Sequence, residues 1–404
     1  MNAESGPLLT VVSRGFPPQV SGSSILLANL LANYPGKVNA VVGHNAYAQF
    51  DPAFLPPCPV HHLAFPHTVP IVCDRLGRRL PRVLSRSLQY SMQHAFRQLG
   101  TQVVLAAFPH EAYVVAAFQA ARQRGLPFYI HMHDLWGENM PAGTASARFA
   151  AAWEAIILRQ ATRVLCMTET MQKHYEKHFG IPTYLLPHSI REQDYLHAPT
   201  QMLPARMAQP TVLFVGAVSP KMNLDALKVL AAASELLPAE YRLLFCTSFD
   251  LSALDRVGIR SSRLQTQYVT REEVQRLQSA AHVLIAPLSH KDCSIHEVHT
   301  VFSTKLLEYL VAGRPIVVFA PTHSYHAESA RKNSWGYVVT EDSPAALAAA
   351  IVKLVTDEQL AAELVQGAHR EAQARRASYH AVRLYDWVLT DAQQGGAEKA
   401  QVSV

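Results

Sequence analysis

The chain has 404 residues, more than one hydrophobic core usually accommodates, so two domains are expected. Its composition, 49% hydrophobic and 17% charged residues with a net charge of +5, is that of a well-filled globular protein and excludes a disordered chain. No apolar run approaches the ~20 residues needed to span a bilayer, which argues against an integral membrane protein.

The cysteines and the N-terminus indicate the compartment. The start of the chain has no basic segment, and its apolar stretch is too short for a signal peptide. The cysteines are widely spaced, odd in number and without a Cys-x-x-Cys motif: Cys58, Cys73, Cys166, Cys246 and Cys293. Free thiols in a reducing compartment are therefore expected, and cytoplasmic residence follows.

The N-terminal part alternates predicted strands and helices. Buried strands are predicted at Leu8–Ser13, Val38–Val42, Val103–Ala107, Phe128–His131 and Arg163–Met167. Helices are predicted at Ile25–Asn33, after Glu111 and at Ala145–Gln160. This alternation is typical of a parallel sheet with helices on both faces.

The loop after the first strand is a candidate ligand site. It leads through glycine and serine residues into a helix, and so places backbone N–H groups where phosphate binds well. Gly22 would let a ligand approach the backbone closely, and Ser23 lies beside it. Many α/β proteins open in a similar way, so this pattern is weak by itself.

A basic amphipathic segment follows the second predicted strand. Its arginines lie at near-helical spacing with apolar residues between them: Arg75, Arg78, Arg79, Arg82 and Arg86. Pro81 must begin or interrupt a helix there. One interpretation is a solvated arginine-rich face, and the other is contact with anionic lipid head groups. No recognition motif accompanies the arginines, which argues against a nucleic-acid partner.

The segment HMHDLW, residues 131–136, lies at the carboxyl end of a predicted strand, where ligands bind in open α/β sheets. His131 and His133 alternate, so both face the same side of the strand. A metal pair is disfavoured because no third ligand lies nearby, and no metal site is predicted. His133 is either a structural histidine of the loop or a group that contacts substrate.

The second half repeats the α/β pattern. Periodicity is lost and prolines accumulate from Pro187 to Pro210, where an interdomain linker is expected. A strand at Thr211–Val215 then begins the second domain. The predicted divisions are an N-terminal domain over 1–190, a linker over 191–210, a C-terminal domain over 211–375, a last helix over 376–392 and a disordered tail over 393–404.

The run FVGAVSPKMNLDAL, residues 214–227, is again a strand, a glycine loop and a helix. Gly216 permits a tight exit from the strand. Lys221 lies just ahead of the helix, where it can pair with phosphate as a point charge. The alternative is an ordinary solvated loop lysine.

The run FSTKLLEYLVAGRPIVVF, residues 302–319, reads as a capped helix followed by a buried strand. Lys305 lies in the first turn of this helix, where a cation faces the positive end of the dipole, so an anion is expected to bind there too. Glu308, one turn later, can accept hydrogen bonds from vicinal hydroxyls, as acidic residues do for ribose. The alternative for Glu308 is an exposed partner of Lys305.

These segments resemble the GT-B glycosyltransferases, and specifically the retaining glycosyltransferase family 4. The similarity runs through FPPQVSGSS, HDLW, VLCMTETMQKHYEKHFGIPTYLLPHSI, FVGAVSPKMNLDAL, SAAHVLIAPLS and STKLLEYLVAGRPIVV, of which the last is the most specific. The resemblance implies an α/β protein of the GT-B fold, with two Rossmann-like domains whose parallel sheets face a central cleft. It also implies that the nucleotide-sugar binds mainly to the C-terminal domain and that a C-terminal helix crosses back to the N-terminal one.

The resemblance also implies roles for individual residues. Glu308 would contact the donor ribose, His133 would lie near the reacting sugar and acceptor, and Lys221 would neutralise the diphosphate. Backbone amides for the diphosphate would come from Phe302, Ser303 and Thr304, with Gly22 in the facing glycine loop.

Two positions depart from the family pattern. Thr300 stands where the first glutamate of the Glu-x7-Glu element is expected, and the nearby Glu297 and His299 are the candidates to replace it. Ala217 stands where an arginine usually follows the strand. These changes leave charge neutralisation to Lys221 and Lys305.

We therefore expect a metal-independent retaining transferase that needs no cofactor and moves a sugar from a nucleoside diphosphate to a hydroxyl acceptor, with His133, Lys221 and Lys305 as catalytic residues. The acceptor would be a glycan or polyprenyl-linked molecule of cell-surface polysaccharide or glycolipid synthesis, met at the inner face of the membrane. Alternatives are another GT-B nucleotide-sugar enzyme, such as a 2-epimerase or a soluble-acceptor transferase, and a catalytically silent partner subunit.

Overall fold

The structure is a computed structural model that describes residues 6–45, 49–64, 66–191, 208–269, 271–291 and 294–402. The chain divides into two compact units, Met1–Arg191 with Arg376–Val404, and Glu192–Arg375. Most of the linker predicted over 191–210 lies outside the described residues.

The N-terminal unit is built on a seven-stranded parallel sheet with the order β5-β3-β1-β6-β7-β8-β9. Its strands are β1 (Leu9–Ser13), β3 (Val38–Val42), β5 (Val60–His62), β6 (Val103–Phe108), β7 (Phe128–Met132), β8 (Arg163–Cys166) and β9 (Tyr184–Leu185). A separate antiparallel pair consists of β2 (Gln19–Val20) and β4 (Gln49–Phe50). The central strands are buried along their whole length, as their mostly apolar sequences predict.

Helices connect these strands: Gly22–Leu31, Pro81–Leu99, Glu111–Gln123, Ala145–Gln160 and Glu169–Phe179, with short helical turns at Ile71–Leu76, Gly77–Arg79 and Gly137–Asn139. Pro81 occupies the first turn of its helix, where its missing N–H costs no hydrogen bond. The helix predicted at Ile25–Asn33 begins earlier, because the Ser21 hydroxyl accepts the Ser24 N–H at 3.2 Å and caps it.

The last helix, Ala377–Val402, belongs to the N-terminal unit. Its Leu384 and Val388 are buried in the core that contains β1. Asp391 accepts hydrogen bonds from Nε and Nη2 of Arg163 at 2.6 and 2.9 Å. The helix continues over residues for which a disordered tail was predicted from 393. The sequence AEKAQ is rich in strong helix formers, and extending a helix that has already formed is easier than starting one.

The C-terminal unit has a six-stranded parallel sheet with the order β12-β11-β10-β13-β14-β15. Its strands are β10 (Thr211–Val215), β11 (Arg242–Cys246), β12 (Leu264–Gln267), β13 (Val283–Pro287), β14 (Ile316–Phe319) and β15 (Tyr337–Val339). Its helices are Leu224–Glu235, Leu251–Arg256, Arg271–Ala280, Ile295–Thr300, Thr304–Val311, Tyr325–Asn333, Pro344–Thr356 and Glu358–Ala374.

Each sheet reverses its strand order at one point. In the N-terminal unit this point lies between β1 and β6, and in the C-terminal unit it lies between β10 and β13. Loops that leave the carboxyl ends of two such strands diverge and leave a crevice, which is where open α/β sheets bind ligands. The segments that follow these strands are therefore where each unit is expected to bind a ligand.

Candidate functional site

Two histidines lie together at the carboxyl edge of the N-terminal sheet. The alternation along β7 puts His131 and His133 on one face, as predicted, with ring centroids 4.5 Å apart and planes at 90°. His131 Nε2 lies 3.0 Å from the carbonyl oxygen of Leu186, and His133 Nε2 lies 3.2 Å from His131 Nδ1. The ring of His188 is 6.5 Å from that of His133.

Burial keeps these imidazoles neutral. Both are almost fully inaccessible, and removal from water lowers the pKa of His131 to about 4. The pKa of His133 is also well below its usual value, first because of burial and then because His131, His188 and His110 lie nearby. Near neutral pH these rings can exchange hydrogen bonds but carry no charge with which to bind an anion.

The glycine loop meets this histidine pair. Ser23 lies in the first turn of the helix Gly22–Leu31, and its Oγ is 3.2 Å from Nδ1 of His133. Gly22, beside it, is exposed. The structure thus brings Ser23 and His133 into contact across 110 positions of sequence. Within the described ranges, no cluster of three or more His, Cys, Asp or Glu side chains could hold a metal ion.

The C-terminal unit has a cavity of about 80 Å³ at its own switch point. The cavity is lined by the end of β10, by residues of β13 and by the helix Thr304–Val311, and its polar lining residues are Asn223, Ser303, Lys305, Tyr309 and His326. The Tyr309 hydroxyl accepts the Val215 N–H at 2.9 Å, which joins this helix to the end of β10.

Lys305 lies across Gly216. A Cβ atom at Gly216 would be only 2.9 Å from Cε and Nζ of the lysine, so a larger residue would require the end of this side chain to move. Gly216 also has a φ of 154°, which favours glycine. The sequence pattern gave Gly216 the tight exit from its strand and gave Lys305 an anion to bind, and the structure places the two residues in contact.

The ammonium of Lys305 has no ion-pair partner in the part of the chain that the structure describes. Burial lowers the pKa of Lys305, an effect that the negative charge of Glu308 opposes in part. Glu308 lies one turn away, but its Oε2 accepts a hydrogen bond from Nε2 of Gln278 at 3.1 Å. The alternative of a Lys305–Glu308 surface ion pair is therefore not what the structure shows.

Gln278 is a site residue that sequence reasoning missed. It is buried at the end of the helix Arg271–Ala280, thirty positions from Glu308, and it orients the carboxylate. A glutamine in an ordinary helical pattern gives no signal in the sequence that could have identified it.

The segment 302–304, which was expected to supply backbone amides to a diphosphate, makes contacts of its own inside the C-terminal unit. Phe302 is buried, with the guanidinium of Arg375 4.0 Å from its ring centroid. The Ser303 N–H already donates to His326 Nε2 at 3.1 Å, which differs from the expectation that it faces a ligand. Burial lowers the pKa of His326 to about 4, so this acceptor stays neutral. Thr304 begins the helix as its first residue.

Other predicted residues lie elsewhere. Lys221 is exposed in the turn before the helix Leu224–Glu235 and does not line the cavity. The Thr300 hydroxyl donates to the carbonyl of His296 at 3.0 Å within its own helix. Glu297 and His299 are half-buried and do not line the cavity either.

The arginine segment (Arg75, Arg78, Arg79, Arg82 and Arg86) is exposed at every arginine. Large apolar side chains are exposed among them: Ile71 at 63%, Leu80 at 51% and Val83 at 52%. The buried Asp74 forms an ion pair with Arg14, the residue that follows β1. A search of the described residues found no helix both long and apolar enough to cross a bilayer.

Each of the two units matches the model of a known protein family. The family described as "Glycosyl transferase 4-like domain" matches residues 27–185, and the one described as "Glycosyl transferases group 1" matches residues 209–357. No curated protein matches the chain.

Solved structures resemble the chain over nearly its whole length. Sucrose-phosphate synthase from Thermosynechococcus elongatus is 17% identical with a TM-score of 0.71, over 94% of this chain and 98% of that one. HepE of Anabaena, in complex with UDP and glucose, is 14% identical with a TM-score of 0.66, over 95% and 99%. WaaG, a glycosyltransferase involved in lipopolysaccharide biosynthesis, is 16% identical with a TM-score of 0.62, over 94% and 99%. At identities this low, the structural similarity shows a shared fold and nothing further.

Proposed function

Because this chain belongs to the group 1 glycosyl transferases and has their two-domain GT-B fold, we propose that it moves a sugar from a nucleoside diphosphate sugar to a hydroxyl group of an acceptor. The observation that carries the choice of donor is Lys305, a mostly buried ammonium with no counter-ion among the described residues. An unpaired cation is costly inside a protein unless a ligand supplies the opposite charge.

The surroundings of Lys305 suit a diphosphate in particular. Its helix, Thr304–Val311, directs the positive end of its dipole to the same place, and Gly216 lets a ligand approach the end of β10. Glu308, oriented by Gln278, offers a carboxylate to the vicinal hydroxyls of a ribose. HepE, which shares the fold, is known in complex with UDP, and this supports UDP as the first nucleotide to test.

We propose that the transfer retains the configuration at the sugar and needs neither a metal ion nor a protein nucleophile. Lys305 and the helix N-terminus would stabilise the charge that develops on the leaving diphosphate. His133, neutral and buried at the end of β7, would orient the reacting groups. The exposed Lys221 would contribute only if its turn moves toward the ligand.

Calorimetric titration of UDP tests the donor site. Lys305→Met should weaken UDP binding at least tenfold, since a charge-assisted contact contributes about 1.5–3 kcal/mol. Glu308→Gln should weaken UDP binding less than Lys305→Met does. It should weaken uridine binding by about the same factor as UDP binding, because the proposed contact of Glu308 is with the ribose. Lys332→Met removes an exposed lysine from the same unit and serves as the control. UDP binding that is unchanged in Lys305→Met would refute the donor site.

We further propose that the acceptor is a lipid-linked glycan presented at an anionic membrane surface. The arginine segment combines exposed cations with the exposed apolar side chains of Ile71, Leu80 and Val83. That combination suits the interface of a bilayer better than it suits water alone. WaaG, a structural neighbour, acts in lipopolysaccharide biosynthesis, and this supports a cell-surface product.

Flotation with liposomes tests the membrane proposal. Replacing Arg78, Arg79 and Arg82 with glutamate should abolish binding to vesicles of phosphatidylglycerol and phosphatidylcholine. Each arginine near an anionic surface contributes about 1 kcal/mol to the binding free energy. The matched control reverses three exposed cations of the C-terminal unit, namely Arg331, Lys332 and Arg370. Equal flotation of wild type and the first variant would rule the surface out.

A further inference from the structure

A continuous chain of hydrogen bonds runs behind the glycine loop of the N-terminal unit. It begins at the Leu186 carbonyl, 3.0 Å from His131 Nε2. It continues from His131 Nδ1 to His133 Nε2 at 3.2 Å, and from His133 Nδ1 to Ser23 Oγ at 3.2 Å. Every nitrogen of the two rings is used, and Ser23 is the one member of this hydrogen-bond chain that is not buried.

The direction of every hydrogen bond in this chain follows from its first member. A carbonyl oxygen only accepts, so His131 carries its proton on Nε2. A neutral imidazole has one N–H, which leaves Nδ1 of His131 as an acceptor, so His133 must donate from its Nε2. Nδ1 of His133 is then bare, and the hydrogen bond there is made by the hydroxyl proton of Ser23.

We propose that Ser23 is a specificity-determining residue whose hydroxyl oxygen binds an alcohol group of the substrate and cannot donate to an anion. Its single proton is committed to His133, so Oγ can offer only lone pairs to a ligand. The complementary group must be a hydrogen-bond donor, and on a sugar or a glycan acceptor that group is a hydroxyl. This inference deepens the proposed function, on which it rests, because it names what the loop beside Gly22 recognises.

The same hydrogen-bond chain decides against a phosphate bound by the Ser23 hydroxyl. A phosphate oxygen needs a donor, and the Ser23 hydroxyl has no proton left to give. The nearby rings are neutral and add no positive charge. The sequence pattern alone suggested a phosphate at Gly22 and Ser23, and the contact with His133 changes the expected ligand of the Ser23 side chain to an alcohol.

The hydrogen-bond chain from Leu186 to Ser23 orients the alcohol without removing its proton. Moving a proton from the ligand through Ser23 onto His133 would create an imidazolium in a fully buried site beside His131 and His188, which burial strongly opposes. Ser23 therefore acts by position. It fixes the direction of the substrate O–H bond, and so directs the remaining lone pairs of that oxygen away from the loop.

The first test needs no ligand. In protein labelled with ¹⁵N at histidine, two-bond ¹H–¹⁵N spectra distinguish the two imidazole tautomers, and both His131 and His133 should carry the proton on Nε2. Ser23→Ala should shift Nδ1 of His133 while leaving its tautomer unchanged, and Ser23→Thr should restore the resonance. Ser24→Ala, whose hydroxyl pairs with Ser21, is the control. A proton found on Nδ1 of His133 would overturn the proposal.

The second test uses defined probes. Methyl α-glucoside should move the Nδ1 resonance of His133 in the wild type, and inorganic phosphate should not. If the alcohol belongs to the donor sugar, Ser23→Ala weakens UDP-glucose binding about fivefold and leaves UDP binding unchanged. If it belongs to the acceptor, both nucleotides bind unchanged while the response to methyl α-glucoside is lost.

Two results refute the assignment, a response to phosphate or no response to methyl α-glucoside. Neither depends on the donor site of the C-terminal unit. A failure of UDP to bind at Lys305 would therefore be distinguished from a failure of this proposal.

Discussion

Glu154 provides a test of how the loop that follows His133 is held. This carboxylate lies in the helix Ala145–Gln160, is only 7% exposed, and accepts the Gly137 N–H through Oε2 at 3.2 Å. A Cβ atom at Gly137 would lie 2.7 Å from that oxygen, so the loop passes directly over the carboxylate. Glu154→Gln keeps an oxygen acceptor for the N–H group but removes the ionisable group.

Burial raises the pKa of Glu154 from 4.5 to about 7, and the charge of Glu138 adds to the effect. Between these two values the folded protein binds a proton that the unfolded chain has lost. The free energy of unfolding therefore falls as the pH rises through this window and is constant above it. At about 1.36 kcal/mol for each pKa unit, the decrease amounts to roughly 3 kcal/mol at most.

Urea unfolding from about pH 5 to about pH 8 measures this decrease. Glu154→Gln should lack it, so the variant should gain stability relative to wild type as the pH rises. Glu176→Gln, an exposed glutamate of the same unit, should follow the wild-type profile. If the profiles of wild type and Glu154→Gln run parallel, the carboxylate is charged throughout and the argument from burial is wrong.

Three further predictions concern the C-terminal unit. Gly216→Ala should displace Lys305 and weaken UDP binding roughly tenfold by calorimetry, with an unchanged circular dichroism spectrum. UDP affinity should fall as the pH rises toward the lowered pKa of Lys305, and Lys305→Met should remove this dependence in the same titrations. Gly367→Ala would place a Cβ atom 1.8 Å from the Ser334 carbonyl oxygen and should destabilise the unit by about 3 kcal/mol in urea. In a helix interior without a clash, alanine is usually more stabilising than glycine by about 1 kcal/mol. A Gly367→Ala variant that is more stable than wild type would therefore contradict the last prediction.

The sequence predicted the elements whose causes are local. The run over 302–319 shows why, because its hydroxyl residues, its apolar spacing and its glycine and proline act within a few positions of one another. The structure has a helix at Thr304–Val311 and a strand at Ile316–Phe319 there. The parallel sheets were predictable for the same reason, since the buried strands are mostly apolar runs.

Contacts between distant residues could not be predicted. Ser23 and His133, Gln278 and Glu308, and Ser303 and His326 are pairs separated by 110, 30 and 23 positions. Each contact depends on the strand order and on side-chain direction, and neither periodicity nor composition contains that information. The direction of the hydrogen bonds through His131 and His133 was even less predictable. It follows from the backbone carbonyl of Leu186, which no side-chain pattern in the sequence identifies.

The candidate sites of the two units differ in the chemistry that they offer. The C-terminal unit presents the ammonium of Lys305 without a counter-ion among its described residues, at a helix N-terminus. The N-terminal unit presents Ser23, an acceptor supported by the neutral rings of His131 and His133. A sugar transfer needs both properties, because the leaving diphosphate must be stabilised by positive charge while the attacking alcohol must be positioned without being bound as an anion. A cation beside Ser23 would attract phosphate to the place where the alcohol has to bind, so the neutrality of the histidine pair is itself a requirement of the proposed reaction.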